Sequence, residues 1–317
     1  MSSTDNTIRP DVRAFLDMLE ALQQPQIHEL PLADARAAAG KMAEMADIPP
    51  LDLAVIRDLA CPGPAGEIPL RLYDAKDSRD PGPVIVFFHG GGFVIGDLES
   101  YHSLCTEIAA RTGLPVVSVD YRLAPENPFP AAPDDCEAAA RWIAASPAEL
   151  GLEVTGLITM GDSAGGNLTI VTTLALLDDP AQVPVIMQVP VYPIASAIED
   201  HDSMRDFGDG LFLTREVMGW FTRSYAPDPE SPRNYPLLRT DHSRTPPTVL
   251  LTAGLDPLRD SGREYGARLA ASGVELTSIE AEGMIHGFVQ MRRALPSTAA
   301  DMNALFEAIE RVLERRS

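Results

Sequence analysis

The sequence predicts an α/β fold: a mostly parallel sheet of eight strands flanked by helices on both faces. Two observations carry this. From Pro83 onward, short apolar runs rich in β-branched residues alternate with stretches of helical length, the pattern of strands buried on both faces. The chain is also long enough, at 317 residues with 45% hydrophobic and 22% charged, to bury one large core and carry an appendage.

The elements follow in order. Val12, Phe15, Leu16, Leu19 and Leu22 recur at helical spacing and give one apolar stripe that must pack on something. Ala33 to Ala39 and Met42 to Met45 read as a second short helix ending before Pro49-Pro50. Leu51 to Leu59 and Ile68 to Tyr73 read as two strands around the turn-rich segment Cys61 to Gly66. Strands are then expected at Val84–Phe88, Leu114–Val119, Leu152–Met160, Val183–Val191, Thr248–Ala253 and Val274–Ile279. Helices are expected at Leu104–Thr112, Ala131–Ala145, Leu168–Leu177, Leu258–Ala271 and Met302–Leu313. More than fifty residues separate Tyr192-Pro193 from Thr248, far beyond an ordinary connection. That segment contains Asp206 to Gly210, a helix-like Val217 to Phe221 and a proline-rich return. Its content of Leu211, Phe212, Met218, Trp220 and Phe221 is too apolar for disorder, so it reads as an inserted lid packed with the N-terminal helices.

Composition excludes several classes. A net charge of −21 argues against nucleic acid, anionic membrane surfaces and polyanionic substrates as partners. It reads as a device for solubility or for a salty medium, and activity is expected to tolerate molar salt. Cys61, Cys105 and Cys136 are odd in number and lack C-x-x-C spacing, which argues against a disulfide framework or a zinc site. They read as core thiols of a reducing compartment. Met1 to Pro10 has neither a basic nor an apolar signal region, and no apolar run approaches the ~20 residues of a membrane span. A cytoplasmic location is the expectation.

The chemistry concentrates in four places. Gly161-Asp162-Ser163-Ala164-Gly165-Gly166 follows an apolar strand and opens a helix, the context of a nucleophile elbow. The glycines leave room for a strained turn that lifts the serine hydroxyl off the sheet, at a helix N-terminus where negative charge is favoured. The bland reading of Ser163 is a helix N-cap. His89-Gly90-Gly91-Gly92 directly follows the strand Val84–Phe88. Its amides, together with that of Ala164, are free to converge on a substrate oxygen, whereas His89 itself reads as a hydrogen-bonding prop for the loop. Among six histidines, His286 in Gly283-Met284-Ile285-His286-Gly287-Phe288 lies after the last strand, where a hydrolase base belongs. His28 and His102 lie upstream of the serine, and His201 and His242 fall in the insertion; all four read as ordinary surface histidines. The acid that orients the base is expected after the preceding strand, at Asp256, with Asp260 one turn on as its competitor. Asp256 can also cap the next helix, with Pro257 at its first position.

Taken together these segments resemble the bacterial hormone-sensitive-lipase family of esterases, a group of α/β-hydrolases. The resemblance rests on His89 to Gly92, Gly161 to Gly166, Tyr121-Arg122-Leu123-Ala124-Pro125-Glu126, Asp256 to Asp260 and Ile285 to Phe288. It implies a triad of Ser163, Asp256 and His286, with oxyanion donors at Gly91, Gly92 and Ala164. His89, Gly90, Gly161, Asp162 and Gly165 would support that site. It also implies a helical cap, placed at 1–45 and 197–232, over a catalytic domain at 46–196 and 233–317. Candidate pocket residues are Phe93, Leu211, Phe212, Trp220 and Phe221. Cis peptides at Ala124-Pro125 and Phe129-Pro130, and a homodimer, are further expectations from the resemblance alone.

The expected reaction is hydrolysis of small, uncharged, short-chain esters by a serine hydrolase, through an acyl-enzyme and with no metal or organic cofactor. A deacetylase, lactonase or amidase on the same triad is the alternative. A non-catalytic receptor would require loss of the base, and His286 stands in full context. Activity should rise with pH as the histidine loses its proton.

Overall fold

The structure is a computed structural model and describes residues 7–315. Two helices come first, α1 (Pro10–Leu22) and α2 (Leu32–Ala46), followed by a hairpin of β1 (Val55–Gly63) and β2 (Gly66–Asp74). Alternation then sets in with β3 (Gly82–Phe88), α3 (His102–Thr112), β4 (Val116–Val119), α4 (Ala131–Ala144), β5 (Val154–Asp162), α5 (Ala164–Asp178) and β6 (Val185–Val191). The insertion carries α6 (Asp202–Phe207) and α7 (Arg215–Tyr225). The chain returns through β7 (Thr248–Leu255), α8 (Arg259–Ala271), β8 (Leu276–Ile285) and α9 (Thr298–Glu314).

Among the described residues eight strands form one sheet in the order β1-β2-β4-β3-β5-β6-β7-β8. The pairs β1–β2 and β2–β4 are antiparallel and all other neighbours are parallel. This is the α/β-hydrolase arrangement that the sequence resemblance implies. The period-two alternation of a strand sorts β3 cleanly. Ile85 and Phe87 join the core under α3 and α9, whereas Val84, Val86 and Phe88 join the core under α4 and α5. Helix α5 is buried almost all round, because it packs on β3, β5 and β6 beneath and carries α4 and α8 at its sides. No described helix is long and apolar enough to cross a membrane.

Several boundaries move, each for a physical reason. The second helix is one element as expected, α2, since Gly40 stands in open space and interrupts nothing; it begins at Leu32, one residue before the apolar stretch. The hairpin tightens to Pro64-Ala65, because Cys61 pairs with Ile68 and extends β1 past the expected turn. Strand β4 starts two residues late, after Pro115, which has no amide to give to the ladder. Strand β8 is much longer than its apolar stretch. Its polar Glu280 and Glu282 lie on an edge strand, where Glu280 is tied by Arg263 of α8, 2.6 Å away. His286 therefore follows β8 directly, in the turn that leads to Phe288. Helix α6 escapes periodicity because it has only six residues.

The N-terminal helices are fastened at their bases. Arg9 forms a bidentate pair with Asp301 of α9 at 2.6 and 2.9 Å, and Asp11 accepts hydrogen bonds from Ser297 at the start of α9. At the far end of α2, Asp47 is bound by Arg292 at 2.6 Å, and the Ala46 carbonyl accepts from the amides of Arg293 and Ala294. Between these anchors α1 and α2 run over the carboxyl ends of the strands. Residues 1–6 of the segment expected as cap lie outside the described residues.

Candidate active site

Ser163 stands between the end of β5 and the start of α5 with φ 56° and ψ −118°, a backbone conformation that is costly for any residue but glycine. The fold holds it there from both sides. Its amide donates to the Val191 carbonyl at 2.9 Å, and its own carbonyl accepts from the Asn167 amide. The flanking glycines are dictated by contact. A Cβ on Gly161 or Gly165 would collide with the Phe88 carbonyl oxygen at the end of β3. The Ser163 side chain caps no helix. Its Oγ instead lies 2.8 Å from His286 Nε2, and His286 Nδ1 lies 2.7 Å from Asp256 Oδ2.

These three side chains are buried, Asp256 completely. Asp256 Oδ1 accepts a hydrogen bond from the Leu258 amide at 2.8 Å, which fixes the carboxylate and leaves Oδ2 for the histidine. Helix α8 begins only at Arg259, so Pro257 is not its first residue; residues 256–258 form a turn built around this carboxylate. Asp260 points elsewhere. It binds the Ser203 amide and Arg259, fastening α6 to the turn.

The loop after β3 approaches from the opposite side. Gly91, Gly92 and Phe93 all have positive φ, at 108°, 60° and 63°, and the Gly91 carbonyl accepts from Val94 and Ile95. Among the described residues the amides of Gly91 and Gly92 donate to no protein group. The Ala164 amide opens α5, where no partner exists one turn back. His89 is fully buried, its ring stacked on Tyr121 at 4.2 Å and its Nδ1 2.7 Å from the Gly90 carbonyl. Burial pushes its pKa down to about 4, so it is neutral at ordinary pH and donates from Nδ1. Both Ala124-Pro125 and Phe129-Pro130 are cis. Tyr121, between these bonds and the site, donates its hydroxyl to the His89 carbonyl at 2.7 Å.

Above Ser163 and His286 lies a cavity of about 990 Å³, at the upper end of the usual size for a small-molecule site. Phe93, Phe212 and Phe221 line it, with Val217 and Met218 of α7 and Leu16 and Leu19 of α1. Leu211 and Trp220, also expected there, do not line it. Trp220 packs behind Phe221 at 5.0 Å between ring centres, and Leu211 turns into the core beneath. The apolar stripe of α1 is likewise split: Val12 and Phe15 enter the core, and Leu16, Leu19 and Leu22 face the cavity. Two residues that the sequence reading missed stand at the site, Tyr101 and Tyr192, each with its hydroxyl 3.1 Å from Asp162. No local pattern marks them, because their partner is sixty-one or thirty residues away. Of the remaining histidines, His242 is buried against Tyr265 and is not on the surface. Among the described residues no group of three or more His, Cys, Asp or Glu side chains is arranged to hold a metal ion.

Comparison with known proteins places the chain among ester hydrolases of this fold. The profile of a family described as alpha/beta hydrolase fold matches residues 85–290. The chain is 36% identical to the carboxylic ester hydrolase LipN of Mycobacterium tuberculosis, over 82% of this chain and 71% of that one. It is 32% identical to an ethyl acetate hydrolase of Pseudomonas putida, over 97% of this chain and all of the other. Among solved structures, an ester hydrolase from the metagenome of Lake Arreo, in complex with a bipyridine phosphonate derivative, superposes with a TM-score of 0.90. The two share 37% identity over 96% of this chain and 98% of that one.

Proposed function

The chain belongs to the α/β-hydrolase family, in its bacterial hormone-sensitive-lipase-like branch, and is a carboxylic ester hydrolase; from that premise we propose that Ser163, His286 and Asp256 are its catalytic triad. The observation that carries this reading is the unbroken relay from Asp256 through His286 to Ser163, with links of 2.7 and 2.8 Å, on the floor of the cavity. His286 Nε2 takes the hydroxyl proton as Ser163 Oγ attacks the ester carbonyl carbon. The amides of Gly91, Gly92 and Ala164 receive the negative charge that develops on the carbonyl oxygen. The alcohol leaves with the proton from His286, and the acyl group stays on Ser163. Water, deprotonated by the same histidine, then releases the acid. Asp256 stays ionised and holds the imidazole in the tautomer that presents the Nε2 lone pair to the serine.

The substrates in this reading are small, uncharged esters with short acyl chains. Aromatic rings crowd the nucleophile: a Cβ at Gly92 would strike Phe221, and one at Gly287 would touch Phe212 at 3.4 Å. The helices α1, α2, α6 and α7 act as the cap that closes this space. The unpaired, buried thiols of Cys61, Cys105 and Cys136 support a reducing, cytoplasmic setting.

A nitrophenyl ester series from two to sixteen acyl carbons tests the proposal, with Ser163→Ala as control. Turnover should peak below about ten carbons and fall by a factor of order 10⁴ or more in the variant at every length. A maximum at long chains overturns the substrate class; an active Ser163→Ala enzyme overturns the triad.

A further inference from the structure

Asp162 is a carboxylate where none is required for packing. It is completely buried and, among the described residues, forms no ion pair; its partners are the Gly90 amide at 2.9 Å and the hydroxyls of Tyr101 and Tyr192 at 3.1 Å. An asparagine oxygen could accept from Gly90, and its amide could donate to the tyrosine oxygens, at no cost of a buried charge. That cost is real here. Burial pushes the Asp162 carboxyl up to about 6, against the opposing pull of His286 and the three hydrogen bonds.

The groups facing Asp162 show what the charge is for. Tyr101 comes from the start of α3, Tyr192 from the end of β6, and Tyr121 and Cys105 lie near enough to feel its field. Burial raises the pKa of all four, so all are neutral in the working range. His89, stacked on Tyr121, is neutral as well. Asp256 is the other nearby anion, sensed across Tyr192. The one facing group that gains positive charge during the reaction is His286, whose ring packs on Tyr192 at 4.5 Å. Gly90, held by the other carboxylate oxygen, immediately precedes the donors Gly91 and Gly92. It is packed so tightly that a Cβ there would lie 2.7 Å from Asp162 Oδ2.

We propose that Asp162 is a positioning residue for the hydrolysis: one oxygen fixes the oxyanion loop through Gly90, and its charge stabilises the His286 imidazolium from beneath, alongside Asp256. Asp162 exchanges no proton in the cycle. The proton moves from Ser163 Oγ to His286 Nε2, and the carboxylate makes that transfer easier through space. The inference rests on the triad reading above.

Asp162→Asn keeps the shape and removes the charge. With nitrophenyl butyrate its KM should stay within about twofold while kcat falls roughly tenfold. The acid limb of the rate profile should move to lower pH by about one unit, since the imidazolium loses an anion. A buried carboxyl raised to about 6 costs stability progressively as pH rises from its ordinary 3.8 to about 6. The variant should therefore melt no lower than the parent at pH 8. Tyr192→Phe supplies an opposite sign. Losing one hydrogen bond to the charged form makes Asp162 protonate more readily, and the limb should move to higher pH. A limb unchanged in both variants, or a lowered melting temperature with unaltered kcat, means a structural acceptor only and overturns the proposal. Either result leaves the triad reading intact, because that reading stands or falls with Ser163→Ala.

Discussion

At Gly165 the distance between a working elbow and a broken one is a single methyl group. A Cβ there would run into the carbonyl oxygen of Phe88 and lie 2.7 Å from that of His89. Both atoms are backbone at the end of β3, so neither can swing aside. Gly92 presents the contrasting case, because the obstacle to a Cβ is the ring of Phe221, which belongs to a surface helix and can turn. Gly165→Ala should cost about 3 kcal/mol or more, seen as a collapse in melting temperature or soluble yield. Gly92→Ala should cost about 1 kcal/mol for the left-handed backbone, while kcat/KM drops about 10- to 100-fold as the donor amide shifts. Equal melting temperatures for the two variants would contradict this account. At this scale the sequence was most legible. Glycine, serine and glycine at the elbow have few other reasons to occur at that spacing between a strand and a helix, and chain order alone separated His286 from the other histidines. What stayed illegible was contact at long range. Nothing near Tyr192 announces a hydroxyl aimed at Asp162, and nothing near Trp220 says that Phe221 faces the cavity in its place.

Among the elements, the coupling between α2 and the histidine segment matters most for function. Arg292 lies six residues past His286 and is buried with Asp47, with Glu107 as a second partner and the Ser103 hydroxyl at 2.8 Å. A buried charge stripped of its partner is far more costly than a surface one. Asp47→Ala should therefore destabilise by about 1.5–3 kcal/mol, short of a wholly unpaired charge because Glu107 remains on Arg292, read as a lower melting temperature. Urea at concentrations below global unfolding should abolish its activity first, because α2 and the His286 loop come loose together. Coincident loss of activity and of far-ultraviolet signal would argue against such local release. Apolar runs located the inner strands β3 to β7, which are buried on both faces, and shorter apolar stretches located β1, β2 and β8, which are partly exposed. They misplaced ends wherever pairing continued through polar residues, as at Glu280 and Glu282, or where a strand ran through glycine to the elbow, as at Gly161.

For the whole molecule the governing quantity is charge. A net charge of −21 sets like charges against one another over the surface, and salt shortens their reach from ~30 Å at 0.01 M to ~3 Å at 1 M. The melting temperature should therefore rise by a few degrees between low salt and 1 M sodium chloride, with ester hydrolysis retained. A fall with salt would show that surface ion pairs, such as Arg36–Glu126 and Arg239–Asp178, outweigh the repulsion. The pairing of Arg9 with Asp301 has a consequence for biosynthesis. The two residues are 292 positions apart, and a ribosome delivers them in that order at about 5–20 residues per second. Helix α1 must wait about fifteen seconds or more for the surface it docks on. Until then the apolar side chains of α1 are exposed to water and to chaperones, and the roof of the pocket is among the last parts of the enzyme to be put in place.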